Sequence, residues 1–219
     1  GRVTAVADHG DYTATTADDI CTTTSYADNA TANMLNLPAV GATFSAACNA
    51  GAPNGPLLRY TRTLYDTSTS AVPGSAGYVA PTKGDKTRTD AATATSGVVV
   101  TGWQTGPTMG YDALGRTVTA TDNTTGAPRT TTTTYTPGTG APTTVTVSNA
   151  LQWKTVTTLD VIRGNTLKSQ DQNLHETSAA YDQSGREIKS WDARRLQAAG
   201  TPTMTTSYGI SNTSPPWGK

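Results

Sequence analysis

The chain has 219 residues with 16 basic and 16 acidic side chains, so its net charge is zero and its pI is near 6.9. That balance, with no Lys/Arg cluster interleaved with aromatics, speaks against a nucleic-acid partner, and no apolar run approaches the roughly 18 residues that a membrane span needs. Only 35% of the residues are hydrophobic and the mean hydropathy is −0.42, which suffices for a thin core, whereas Thr supplies about a fifth of the chain and favours pleated, half-wet strands.

In chain order, residues 1–7 read as a strand closed by the turn Asp8-His9-Gly10-Asp11, and residues 12–16 and 22–26 as two more strands. The alternation then fails. Residues 27–58 form an excursion in which 33–37 has room for one helical turn, and Asn49 to Pro56 is a loop by its turn dipeptides. Leu35, Leu37, Val40 and Phe44 are expected to pin it. Residues 57–65 return to strand, with Leu58, Tyr60, Arg62 and Leu64 on one side and Arg59, Thr61, Thr63 and Tyr65 on the other. A Ser/Gly/Pro loop follows over 67–81, then strands at 86–93 and 97–104, the latter with the run Val98-Val99-Val100.

From residue 107 the pattern becomes regular. Strands are expected at 107–111, 116–121, 129–136, 143–148, 153–160, 165–170, 175–181, 186–191 and 203–209. Their turns are written by Asp122 to Gly126, Pro137 to Gly140, Arg163-Gly164-Asn165, Asp171 to Asn173 and Asp182 to Gly185. Residues 192–202 have room for a short helix, and 212–219 read as a loose tail. The fold class that follows is all-β: a meander of antiparallel hairpins forming a curved, twisted, open sheet. It divides into an irregular region at 1–106, a regular hairpin array at 107–211 and the tail.

One phrase organises the array. Tyr111-Asp112-Ala113-Leu114-Gly115-Arg116 runs through five residues to Asp122, and Tyr181-Asp182-Gln183-Ser184-Gly185-Arg186 runs through five residues to Asp192. Asp112 and Asp182 are placed to accept backbone N–H groups two residues on, and Gly115 and Gly185 stand where a turn with a bulge requires positive φ. Gly1-Arg2 through Asp8 repeats the phrase without its Tyr-Asp head, so the sequence is expected to be a piece of a longer repeat-bearing chain.

Tyr-Asp-x-x-Gly-Arg followed by alternating Thr and Val resembles the Rhs, or YD-repeat, family, and the match is strongest over 107–192. The text around Asp19-Ile20-Cys21, Leu64-Tyr65-Asp66 and Thr134-Tyr135-Thr136-Pro137 is similar in style to secreted actinobacterial members. The resemblance implies hairpin arrays that spiral into a hollow shell, usually around a C-terminal toxin or effector. The family's self-cleaving core segment has no counterpart here, so no cleavage residue is assigned. The exported style favours a disulfide between Cys21 and Cys48, two buried free thiols being the other reading.

The candidate sites divide between chemistry and architecture. Tyr111 and Tyr181 read either as stacking platforms for a ligand or as a ladder of rings whose hydroxyls find polar partners, and their recurrence favours the ladder. Arg116 and Arg186 are expected to lay their stems across the sheet and bond an Asp or a carbonyl of the next hairpin. Asp8, Asp11, Asp18 and Asp19 form the densest acidic cluster, but without a calcium-loop pattern turn duty is the expectation and no metal or cofactor is assigned. Trp103, Trp153, Trp191 and Trp217 read as anchors of a thin core before they read as sugar contacts. His9 and His175 lack a nucleophile context, so no enzyme activity is expected.

The reading is a structural segment of an exported or cell-surface protein, building part of a shell that encloses or presents a passenger. Its partners would be the rest of that shell, the passenger and, edge to edge, a further copy of itself. The alternative is a cell-surface module that binds carbohydrate or protein.

Overall fold

A computed structural model describes residues 1–11, 18–48, 53, 55–124 and 126–209. The expected strand at 12–16, most of the loop at 49–56, the tail at 212–219 and Trp217 lie outside these residues. Within them the protein is all-β, an antiparallel meander of fifteen strands with a short 3-10 turn at Gln197–Ala199 and no α-helix. The chain divides into two compact units, Gly1–Thr130 and Thr131–Lys219.

The first unit contains β1 (Ala5–Asp8), β2 (Ile20–Tyr26), β3 (Pro38–Phe44), β4 (Leu57–Tyr65), β5 (Lys86–Ser96), β6 (Val99–Gln104), β7 (Thr108–Tyr111) and β8 (Thr117–Asp122). Each strand pairs with the next in sequence, except at β5. There β6 pairs with the second half of the strand, Ala91 to Ser96, and β7 takes up the first half at Arg88. β6 and β7 thus lie end to end along one side of β5, while β4 lines the other.

The core of this unit is small because the sequence offers small residues. Ala27, Ala39, Leu64, Tyr65 and Ala71 form it, with Leu37, Val40 and Tyr78 packed against them. β3 corrects the expected irregular excursion. Its sequence Pro-Ala-Val-Gly-Ala-Thr-Phe lacks Thr alternation, but it is a central strand paired to β2 and β4, where buried Ala39 and Ala42 suit covered faces better than Thr. Leu35, expected to pin this region, is 51% exposed, and no helical turn forms at 33–37; Asn29 and Met34 make an isolated bridge instead. Cys21 and Cys48 are disulfide-bonded, with their Cα atoms 4.9 Å apart.

The loop after β4 is held by Asp66. Its carboxylate accepts the backbone N–H groups of Thr82 (2.6 Å), Lys83 (2.9 Å), Gly84 (3.4 Å) and Asp85 (2.9 Å), which turns the Ser/Gly/Pro stretch back onto the sheet. Burial raises this carboxyl's pKa, but the four donors outweigh it and hold the group below the ordinary range.

The second unit is the regular part. β9 (Arg129–Thr136), which begins at the end of the first unit, pairs with β10 (Thr144–Ser148), and β11 (Lys154–Leu159), β12 (Thr166–Gln170), β13 (Glu176–Tyr181), β14 (Glu187–Trp191) and β15 (Met204–Thr205) follow in order. The Thr-rich segments supply β-branched side chains on both faces, and these strands mix half-buried with exposed positions. Trp191 is the large apolar residue buried here, at 6% exposure. The last strand, Met204–Thr205, is shorter than the expected 203–209, although Thr203 and Thr206 on either side of it still donate to the carbonyls of Ser190 and Ile188.

Candidate functional site

The two complete copies of the phrase have the same backbone. In the first, Oδ1 of Asp112 accepts the N–H groups of Leu114 (2.9 Å) and Arg116 (3.0 Å), while Oδ2 accepts Nε–H of Arg116 (2.7 Å). In the second, Oδ1 of Asp182 accepts the N–H groups of Ser184 (2.9 Å) and Arg186 (3.0 Å), and Oδ2 accepts Nε–H of Arg186 (2.8 Å). Gly115 and Gly185 have φ of 76° and 78°, and each donates its N–H to the carbonyl of its Asp. The ladder shifts register at Gly110/Tyr111 and at Ala180/Tyr181, the bulge that such a turn needs.

Both carboxyls are held below the ordinary range. For Asp112 desolvation opposes this, but the Arg116 N–H, its guanidinium and the Leu114 N–H outweigh it; for Asp182 the Arg186 N–H leads, joined by the guanidinium and the Ser184 N–H. Each Arg bonds the Asp of its own turn, and Arg186 also lies over the ring of Tyr208, 4.5 Å from its centre, beyond β15. Two side chains of the preceding turn reach the turn at Asp182: Nη2 of Arg163 donates to the carbonyl of Gln183 at 2.5 Å and Nδ2 of Asn165 to that of Gly185 at 3.3 Å. The Asp that follows each phrase opens a further turn: Asp122 accepts from the N–H and hydroxyl of Thr124, and Asp192 from the N–H groups of Arg194 and Arg195.

The tyrosines act as clamps. Tyr111 donates its hydroxyl to the carbonyl of Lys86 (2.7 Å), the first residue of β5, and Tyr181 to that of Thr166 (2.9 Å), the first residue of β12. Tyr65 does the same to Pro38, the first residue of β3, and Tyr208 to Glu187, the first residue of β14. Tyr26, which ends β2, donates to Val3 just before β1. In each case a ring near the end of one strand satisfies a carbonyl at the start of its antiparallel neighbour, a point where ladder bonding runs out.

Two further turns share this geometry without sharing the phrase. Oδ1 of Asn149 accepts the N–H groups of Leu151 and Trp153, with Gln152 at φ 64°. Oδ1 of Asp171 accepts those of Asn173 and His175, with Leu174 at φ 61°. The turn-opening residues Asn149, Asp160, Asp171 and Asp182 follow one another every 11 positions (160 − 149, 171 − 160 and 182 − 171). Gly and Arg mark only part of this series, so a search for them misses the rest; the Asn or Asp at fixed intervals was the available signal.

A second cluster escaped the sequence reading altogether. Asp90 on β5 is 1% exposed, and its carboxylate takes Nε–H of Arg62 from β4 (2.8 Å), Nε–H of Arg88 (3.1 Å) and the backbone N–H of Gly106 (3.2 Å). The Arg62 guanidinium lies 3.9 Å from the ring centre of Trp103, which meets Tyr60 edge-on at 5.6 Å. Trp103 is paired with Ala92 of β5, on the side of β5 opposite β4. The cluster locks β4, β5 and β6 together where β6 gives way to β7. Arg88 and Asp90 stand two apart on β5, hence on one face, and register places Arg62 opposite Asp90. Only the pairing of two strands, which the sequence does not state, brings them together.

The remaining candidates stay apart. Asp8 caps Gly10, Asp18 accepts from Asp11, and Asp19 lies 3.5 Å from His9. Among the described residues no group of three or more His, Cys, Asp or Glu is arranged to hold a metal. His175 faces Asp171 within its own turn. Of the indoles, Trp191 is buried, Trp103 is stacked with Arg62, and Trp153 is 54% exposed beside a hollow of about 210 Å³ lined by Asn149, Lys154, Asp171 and Gln172. No family model matches this chain, and no curated protein matches it.

Proposed function

We propose that the chain is an architectural segment of an exported YD-repeat-like protein: hairpins that pair edge to edge and build part of a wall around, or a mount for, a C-terminal passenger such as a toxin. The observation that carries this reading is the recurrence of one turn geometry at Asp112, Asn149, Asp171 and Asp182, with Tyr clamps at the strand ends. A repeat whose most constrained residues are spent on turning and clamping the backbone serves to propagate a sheet. The proposal includes no catalysis. Its test is protease protection in a longer polypeptide that carries a passenger after Lys219: the passenger should be digested far more slowly there than when free. Equal rates would contradict a wall.

Exposed Trp153 favours a second reading, a carbohydrate-binding module. A glycan array probed with this chain decides it. Strong binding to one sugar that Trp153→Ala abolishes would replace the wall reading.

A further inference from the structure

The Asp90 cluster uses only part of the donor capacity it assembles. A guanidinium carries five N–H donors. Asp90 receives one from each arginine through Nε, and a backbone N–H from Gly106 completes its oxygens. Among the described residues no hydrogen bond reaches the Nη nitrogens of Arg62 or Arg88, and the two side chains keep 30% and 29% of their surface open to solvent. Two guanidiniums set against one buried carboxylate leave one positive charge over.

The two forks are also fixed in place. Both Nε atoms bond Oδ2 of Asp90, at 2.8 and 3.1 Å, so they lie no more than 5.9 Å apart (2.8 + 3.1). The Arg62 fork is further held flat on Trp103, itself braced by Tyr60. Side chains already immobilised lose little entropy on binding, and a planar fork matches the oxygens of a carboxylate, phosphate or sulfate.

We propose that Arg62 and Arg88, oriented by Asp90 and Trp103, form a binding site for an oxyanion with at least two acceptor oxygens, carried by a ligand or partner of this sheet face. The inference does not depend on the wall reading, because it rests on side chains of β4, β5 and β6 and not on the repeat.

The test is titration of the ¹⁵N-labelled wild-type chain with inorganic phosphate, sulfate and glutarate at constant ionic strength, with chloride as the control. The Nε–H resonances of Arg62 and Arg88 and the Trp103 indole N–H should shift saturably, with a midpoint of about 1–10 mM. Arg88→Gln should weaken binding about tenfold, and Arg59→Gln, on an exposed position of β4, should leave it unchanged. A response to phosphate and sulfate alone assigns a tetrahedral anion; a response to glutarate alone assigns a carboxylate such as an acidic side chain. Shifts no larger than chloride produces, or a folded Arg88→Gln variant with the wild-type midpoint, would overturn the proposal. The wild-type titration decides the matter if the variant does not fold.

Discussion

At the scale of single residues, the turn depends on a carboxylate and a left-handed backbone position. Asp112 and Asp182 each satisfy two backbone donors and one guanidinium, and Asp66, Asp122 and Asp171 satisfy comparable sets. All five are held below the ordinary carboxylate value of 3.8. A carboxyl whose folded value is depressed stabilises the fold when ionised. That stabilisation is complete above pH 3.8 and is lost as pH falls through the lower folded values. Urea midpoints should therefore stay level from pH 7 to about 5 and drop below about 4, and Asp112→Asn with Asp182→Asn should flatten the drop. Gly185 gives a sharper test. Its φ is 78°, and an added Cβ would lie 3.2 Å from Cδ of Arg163. Gly185→Ala should lower stability by about 1–2 kcal/mol, from the left-handed strain alone, as read from denaturant unfolding.

At the scale of elements, legibility followed the locality of the signal. β9 is spelled out by Arg-Thr-Thr-Thr-Thr-Thr-Tyr-Thr, and its bounds, 129–136, are those expected. The Tyr-Asp-x-x-Gly-Arg turns were legible because their residues meet within six positions. β3 was not, because a doubly covered central strand loses the alternation that marks a half-wet one. The turn at Asp171 was expected, but neither it nor the turn at Asn149 was legible as a copy of the phrase, because Gln152 and Leu174 occupy the left-handed position at some energetic cost and the glycine that would mark the copy is missing. The Asp90 cluster depends on the register between β4 and β5, a property of two strands and not of either sequence. Removing its centre should show this coupling. Asp90→Ala leaves two guanidiniums without their shared partner and frees β6 from β4, and should destabilise the protein by about 3 kcal/mol, at the lower end for a buried pair because both arginines retain access to water. Thermal melts of this variant, of Arg62→Ala and of the double variant would show whether the pair acts as a unit, since the loss in the double variant of a coupled pair falls short of the sum of the single losses.

At the scale of the molecule, a chain with few large apolar residues makes an antiparallel meander with a small core, held by ladders, clamps and turns. Among the described residues β1 pairs only with β2, and β15 only with β14. Such arrays depend on nearest neighbours, so equivalent turns should be interchangeable. Over its five residues the turn at Asp171 differs from that at Asp182 at three positions, and converting it by Asn173→Ser, Leu174→Gly and His175→Arg writes the Asp-Gln-Ser-Gly-Arg part of the phrase into a copy that lacks it, with Gln170 still standing in the place of the Tyr. The measurement is the stability of this triple variant, with its register read from cross-strand contacts of Lys168 with Ser178 and Gln170 with Glu176. Interchangeable turns predict an unchanged register and a gain of about 0.5–1 kcal/mol, because glycine relieves the left-handed strain at Leu174 and offsets its own greater unfolded-state entropy. A loss of stability beyond about 2 kcal/mol, or a ladder shifted by one residue, would contradict the claim that one repeated turn builds this sheet.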